Sequence, residues 1–155
     1  MSDPIVIVSA ARTPMGGFMG GFSAVTSPEL GATAIKAAVE QAQLSSTDID
    51  EVVMGCVLPA GLKQAPARQA ALGADLALST VCTTINKVCG SGMKAAMFAH
   101  DAIAAGSIDI AIAGGMESMT NAPYMLPKGR QGMRMGHSQV CLLYTSDAAD
   151  ESVSG

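Results

Sequence analysis

Residues 86–95 read NKVCGSGMKA, and the kind of domain around them turns on whether this stretch cradles a phosphate or presents a sulfur. From Gly90 it contains G-x-G-x-x-A, the turn by which a strand hands a dinucleotide pyrophosphate to a helix N-terminus. One residue earlier it places Cys89 at that same terminus. Partial positive charge there favours a thiolate as readily as a phosphate. Gly90 and Gly92 suit both chemistries, because they let a ligand approach the backbone and leave amide N–H groups open to a phosphate or an oxyanion. A third reading makes Cys89 a small buried apolar residue, a common fate of cysteine.

On the N-terminal side of this stretch, VCTTIN (81–86) has the composition of a strand. On the other side, Gly90 to Ala105 reads as a helix whose apolar face holds Met93, Ala96, Met97 and Ile103. His100 falls on that face and is expected to be structural. Further out, IVIVSA (5–10) is a β-branched run expected to form a first strand buried on both faces. The glycine-rich MGGFMGGF (15–22) is a loop, after which Ser27 as N-cap and Pro28 as first helical residue open a helix carrying Ile35, Ala38, Val39 and Ala42. EVVMGCV (51–57) is a second strand, APARQAALGADL (65–76) a second helix, and IDIAIA (108–113) a fourth strand closed by GGMESMTNAP (114–123). The alternation of strand and helix predicts an α/β domain with a mostly parallel sheet. From Tyr124 onward glycine, proline and basic residues signal loops. The stretch CLLYTSDAADESVSG (141–155) has neither period and is set apart as an artefactual tail.

Composition narrows the function. The 155 residues are 49% hydrophobic and 14% charged, with no Trp, two Tyr and three Phe. The core is therefore built from aliphatic side chains and Met, and the aromatic platform that stacks nucleic-acid bases is missing. A net charge of −4 argues against nucleic acid as well. Cys56, Cys82, Cys89 and Cys141 show no C-x-x-C spacing and His100 and His137 are the only histidines, so no metal site is expected. No apolar run is long enough for a membrane span, and a cytoplasmic protein with reduced thiols is expected.

The dinucleotide reading gains from Glu117, which lies beyond the next expected strand, roughly where a ribose-binding acid belongs. It loses because two strand–helix pairs precede the glycines, whereas such a fingerprint usually follows the first strand of its unit. Cys56 and Cys82 lie inside strand patterns and read as core. Arg12, before Thr13 and Pro14, reads as shaping a turn. Lys128, Arg130 and Arg134 concentrate positive charge in an acidic chain, either as a solvated loop face or as an attraction for phosphates.

Three stretches in order, SAARTPMGGFMGGF (9–22), NKVCGSGMKA (86–95) and GGMESMTNAP (114–123), resemble the thiolases, the acetyl-CoA acetyltransferases and 3-ketoacyl-CoA thiolases. The likeness covers about residues 4–140. It implies the thiolase fold, N-terminal half, with a mixed, mostly parallel sheet between helices: residues 1–120 as the N-terminal core, 121–140 as the start of a loop domain and 141–155 outside the family pattern. It also implies an acyltransferase that condenses two acetyl-CoA to acetoacetyl-CoA, or cleaves a 3-ketoacyl-CoA, through acylated Cys89. Coenzyme A thioesters would be substrates, with no further cofactor, no metal, no nucleic acid and no membrane. Lys128, Arg130 and Arg134 become candidates for the CoA phosphates, and Gly114 and Gly115 for a tight turn beneath the cysteine. The family's G-H-P histidine and C-x-G cysteine are absent from these residues, and neither His100 nor His137 replaces them. In the family the full-length protein is a dimer or tetramer, so a homo-oligomer is expected. The alternatives are a nucleotide-dependent oxidoreductase using the Gly90–Gly92 turn, or a thiolase-like binding module without chemistry.

Overall fold

The computed structural model describes residues 4–143. Its first helix, α1 (Ser27–Ala42), starts one residue earlier than expected, because Thr26 and not Ser27 is the N-cap. The Glu29 carboxylate reaches back to the Thr26 N–H at 2.7 Å and to its hydroxyl at 2.7 Å, satisfying an end that the helix leaves open. These hydrogen bonds hold the Glu29 carboxyl below the usual carboxylate range. Ile35 is buried and Val39 packs against the core, as the helical spacing predicts.

Strand β1 (Glu51–Gly55) follows, then α2 (Pro66–Gly73), β2 (Val81–Ile85), α3 (Ser91–Ala104) and β3 (Ala111–Gly115). The three strands form one parallel sheet in the order β2-β1-β3, with Val53 of the central strand opposite Thr83 and Ala113. The register of β3 is set two residues before it begins. Asp50, just ahead of β1, accepts the N–H groups of Asp109 and Ile110 at 2.9 Å each. Those two donors hold its carboxyl below its ordinary range. The fourth expected strand therefore slides from 108–113 to 111–115, since the N–H groups of Asp109 and Ile110 go to the Asp50 side chain and not to the ladder.

Val52, Met54 and Cys56 alternate onto one face of β1, where they join Ile35, Ala67, Ala70 and Ala71 in the main core beneath α1 and α2. Val53 and Gly55 alternate onto the other face. There α3 lies over the sheet and buries Ser91, Ala95 and Ala99, at i, i+4 and i+8. The expected apolar face of α3 is thus the wrong one: Met93 is 75% exposed, and Met97 and Phe98 also face outward. Proximity to the sheet selects small residues. A Cβ placed on Gly55 would stand 2.6 Å from Ser91 Cβ and 2.9 Å from the Gly92 nitrogen, so Ala faces the sheet and the bulky Met residues must turn away. His100 shares this correction, being an exposed surface residue 3.3 Å from Asp101 and not a core one.

Residues 5–10 do not form the expected strand. They pair with no strand among the described residues, and Ile7 is 91% exposed. Ser9 anchors them, donating its hydroxyl to the Ala38 carbonyl at 2.7 Å. β-Branched composition suits a pleated surface, but a strand exists only where a neighbour takes its N–H and C=O groups. A second, two-stranded antiparallel sheet joins β4 (Tyr124–Met125) to β5 (Cys141–Leu142) around a 3-10 turn at Gly129–Gln131. Most of the stretch set apart at 141–155 lies outside the described residues.

Two outcomes follow from this architecture. Gly55→Ala should lower stability by roughly 1–3 kcal/mol, as overpacking against backbone does, and a chemical-denaturation midpoint equal to that of the parent would contradict the close seat of α3. The isolated chain, with Val6, Ile7, Val8, Met93 and Met97 exposed, should bind a hydrophobic dye and associate on size-exclusion chromatography; a dye-silent monomer would contradict it.

Candidate active site

The turn between β2 and α3 is built from its own side chains. Val88 takes a left-handed backbone, with φ 48°, which a β-branched residue adopts only when its neighbours compel it. Asn86 Oδ1 accepts the Val88 N–H at 2.9 Å, and the Asn86 Nδ2 donates to the Val57 carbonyl at 3.2 Å. Ser91 closes the other side: its hydroxyl oxygen accepts the Lys87 N–H at 2.8 Å and its O–H donates to the Val88 carbonyl at 2.7 Å. Gly90 is the N-cap of α3, and its carbonyl accepts the Lys94 N–H at 2.9 Å.

Cys89 sits at the crest of this elbow. It is the exposed one among the four free cysteines; Cys56 is buried, and Cys82 and Cys141 are half-buried. The first turn of α3 leaves backbone N–H groups without helical partners beside it. Gly92 and Gly115 approach within 3.6 Å, measured from the position a Gly115 Cβ would take to the Gly92 Cα. Gly114 and Gly115 therefore do lie under the start of α3, as the last residues of a strand and not as a turn.

The same geometry removes the dinucleotide reading. A phosphate-binding glycine directly follows its strand, whereas Asn86, Lys87, Val88 and Cys89 stand between Ile85 and Gly90. Glu117 is not open to a ribose either. Its carboxylate accepts the Val57 N–H at 2.7 Å and the Leu58 N–H at 3.1 Å, binding the end of β3 to the turn after β1. Beside it, burial and the Glu117 charge push the Cys56 thiol up to about 11.

Residues 5–154 match the family model described as "Thiolase, N-terminal domain". The chain belongs to the thiolase family. It is 48% identical over 155 residues to an acetyl-CoA acetyltransferase of Schizosaccharomyces pombe, covering 100% of this chain and 39% of that one. It is 52% identical over 140 residues to an acetyl-CoA acetyltransferase of Cupriavidus necator, covering 90% and 35%. Among solved structures, Acat5 thiolase from Ascaris suum in complex with coenzyme A superposes with a TM-score of 0.84 at 39% identity, over 88% of this chain and 35% of that one. The chain thus spans little more than a third of the length of these thiolase relatives.

Not every candidate joins the elbow. Lys128 and Arg130 belong to the 3-10 turn and its cap between β4 and β5, and Arg134 follows in an exposed loop. No hydrogen bond or ion pair among the described residues links these three to the residues around Cys89. His137 is exposed in the same loop. Arg12 is exposed and lines a cleft between residues 11–18 and 115–120. No group of three or more His, Cys, Asp or Glu side chains among the described residues could hold a metal ion. No described helix is long and apolar enough to cross a membrane. The residues that brace the elbow, Asn86 and Ser91, escape the sequence reading as its supports, although they carry a signal: short polar side chains flanking a turn commonly bond its backbone.

Peptide mapping after iodoacetamide near pH 7 should find Cys89 labelled before Cys56 or Cys82; either of the latter labelled first would overturn its placement. Cys56 also sets an alkaline limit. Its folded-state value lies above the ordinary 9.0, so the native state holds this proton more tightly than the unfolded chain. Its contribution is complete below about pH 9 and is lost as pH rises towards about 11. Cys56→Ala should flatten the fall in stability across that window, and an unaltered alkaline slope in thermal melts would contradict the assignment.

Proposed function

We propose that this chain is the N-terminal part of a thiolase-type acyltransferase in which Cys89 carries the acyl group. The exposed sulfur on a braced elbow at a helix N-terminus carries the reading. Cys89 Sγ attacks the carbonyl carbon of an acyl-CoA thioester, the C–S bond to coenzyme A breaks, and the acyl group remains on Cys89 as coenzyme A leaves as a thiolate. The tetrahedral oxyanion formed on the way is served by N–H groups in the first turn of α3, since those of Lys87, Val88, Gly90 and Ser91 are already engaged within the elbow. A second acetyl-CoA, as a carbanion, then takes the acyl group to give acetoacetyl-CoA; in reverse, coenzyme A cleaves a 3-ketoacyl-CoA. The coenzyme A complex of the Ascaris thiolase supports coenzyme A thioesters as substrates, and Lys128, Arg130 and Arg134 remain candidates for its phosphates. Four unpaired thiols fit a reducing, cytoplasmic setting. A homo-oligomer and a place in fatty acid metabolism belong to the same reading.

The described residues bring no histidine into the elbow's hydrogen bonds, and each positioned acid or base typically contributes about 10² to 10⁴ in rate. The chain alone should therefore show no measurable thiolysis of acetoacetyl-CoA. Joined to a thiolase C-terminal half containing G-H-P and C-x-G, it should gain activity that Cys89→Ala abolishes. Acetyl-CoA should shield Cys89 from alkylation in the joined protein, and NADH should not. Turnover by the isolated chain, wild-type rates in the Cys89→Ala enzyme, or protection by NADH alone would each overturn the reading.

A further inference from the structure

The geometry points to Glu117 and Asn86 as positioning residues for Cys89, acting on each other through the one peptide group between Val57 and Leu58. That group is held from both ends. Its N–H, from Leu58, donates to Glu117 Oε1 at 3.1 Å, while its carbonyl, from Val57, accepts from Asn86 Nδ2 at 3.2 Å. Glu117 Oε2 takes the preceding N–H, that of Val57, at 2.7 Å. Asn86 then passes the constraint on, its Oδ1 receiving the Val88 N–H at 2.9 Å. Val88 is the residue in the left-handed conformation, and Cys89 is the next in the chain. Glu117, just past β3, thus reaches the sulfur-bearing elbow through a turn that follows β1, with no hydrogen bond of its own to the elbow among the described residues.

The chemistry of the chain of contacts has a direction. An ionised carboxylate on the N–H side of a peptide polarises that peptide and strengthens its carbonyl as an acceptor. The carbonyl is the one that fixes Asn86, whose remaining amide oxygen fixes Val88. Glu117 also explains why the neighbouring sulfur is not the reactive one: Cys56 Sγ lies 3.9 Å from Oε1, buried against the negative charge. One carboxylate therefore orients the elbow of Cys89 and adds to burial in keeping Cys56 as a thiol.

This inference rests on Cys89 as the acylated residue, and its test separates the two ideas. In the full chain, Glu117→Gln keeps the shape of the side chain but replaces one acceptor by a donor. Amide exchange followed by NMR should speed up about fivefold at Val88, which Glu117 does not touch, as expected for loss of one net hydrogen bond. Exchange in the β1–β2 ladder should stay unchanged, which a general loss of stability would not allow. The rate of Cys89 carbamidomethylation should change with it. Asn86→Ala should speed exchange at Leu58, which Asn86 does not touch, and the double variant should be no worse than the single ones, since both act through one peptide. Unchanged exchange at Val88 in Glu117→Gln, or multiplying effects in the double variant, would overturn the inference. If Glu117→Gln loses the ladder altogether, Asn86→Ala decides alone, and an unaltered Leu58 amide overturns it. Should wild-type Cys89 label no faster than Cys82, the reading of Cys89 as nucleophile falls, while the exchange at Val88 still decides the positioning.

Discussion

The near-contact between the start of α3 and the glycine ends of two parallel strands governs the rest of the molecule. A helix this close cannot face a sheet with large side chains, so Ser91, Ala95 and Ala99 turn inward and Met93 and Met97 turn out. It also sets the height of the helix N-terminus above the sheet, and with it the turn that must climb from Ile85 to Ser91. That climb forces Val88 into a left-handed backbone. The strained residue, the polar side chains that brace it and the exposed sulfur beside it all descend from that approach.

Two sulfurs near the C-terminal ends of the strands, on opposite faces of the sheet, illustrate how environment sorts identical groups. Cys56 directly follows β1, is 1% exposed, and has a carboxylate for a neighbour. Cys89 opens α3 and is exposed. Neither difference follows from residue type. Both follow from where two parallel strands end, because the C-terminal ends of such strands are where an α/β domain gathers its functional groups.

The sequence carried the sheet's three strands, the three helices and the place of Cys89, because each rests on local pattern: apolar runs, helical spacing and glycine at a cap. What it did not carry depends on neighbours. The β-branched run at 5–10 is indistinguishable by composition from VCTTI, yet only the latter lies beside β1. Met93, Ala96, Met97 and Ile103 recur at helical spacing as plausibly as Ser91, Ala95 and Ala99, and hydrophobicity favoured the wrong set. The deciding fact was the lack of room above Gly55, a tertiary distance that no periodicity encodes. Glu117 was visible as an acid in the right region but was given a ligand, whereas the fold gives it two backbone N–H groups.

The parallel register has a kinetic side. Strands β1 and β2 flank α2 and can meet by closing residues 56–80, whereas β3 closes on β1 directly only across residues 56–110. Closing the longer loop costs more chain entropy and comes later on a topological argument. Glu117 arrives with β3, so Val57 and Leu58 lack their acceptor until that final pairing. The elbow at Cys89 is therefore completed in the last step of assembly, and a chain stalled at the two-stranded stage would already have most of its helix-covered core but not yet a shaped site.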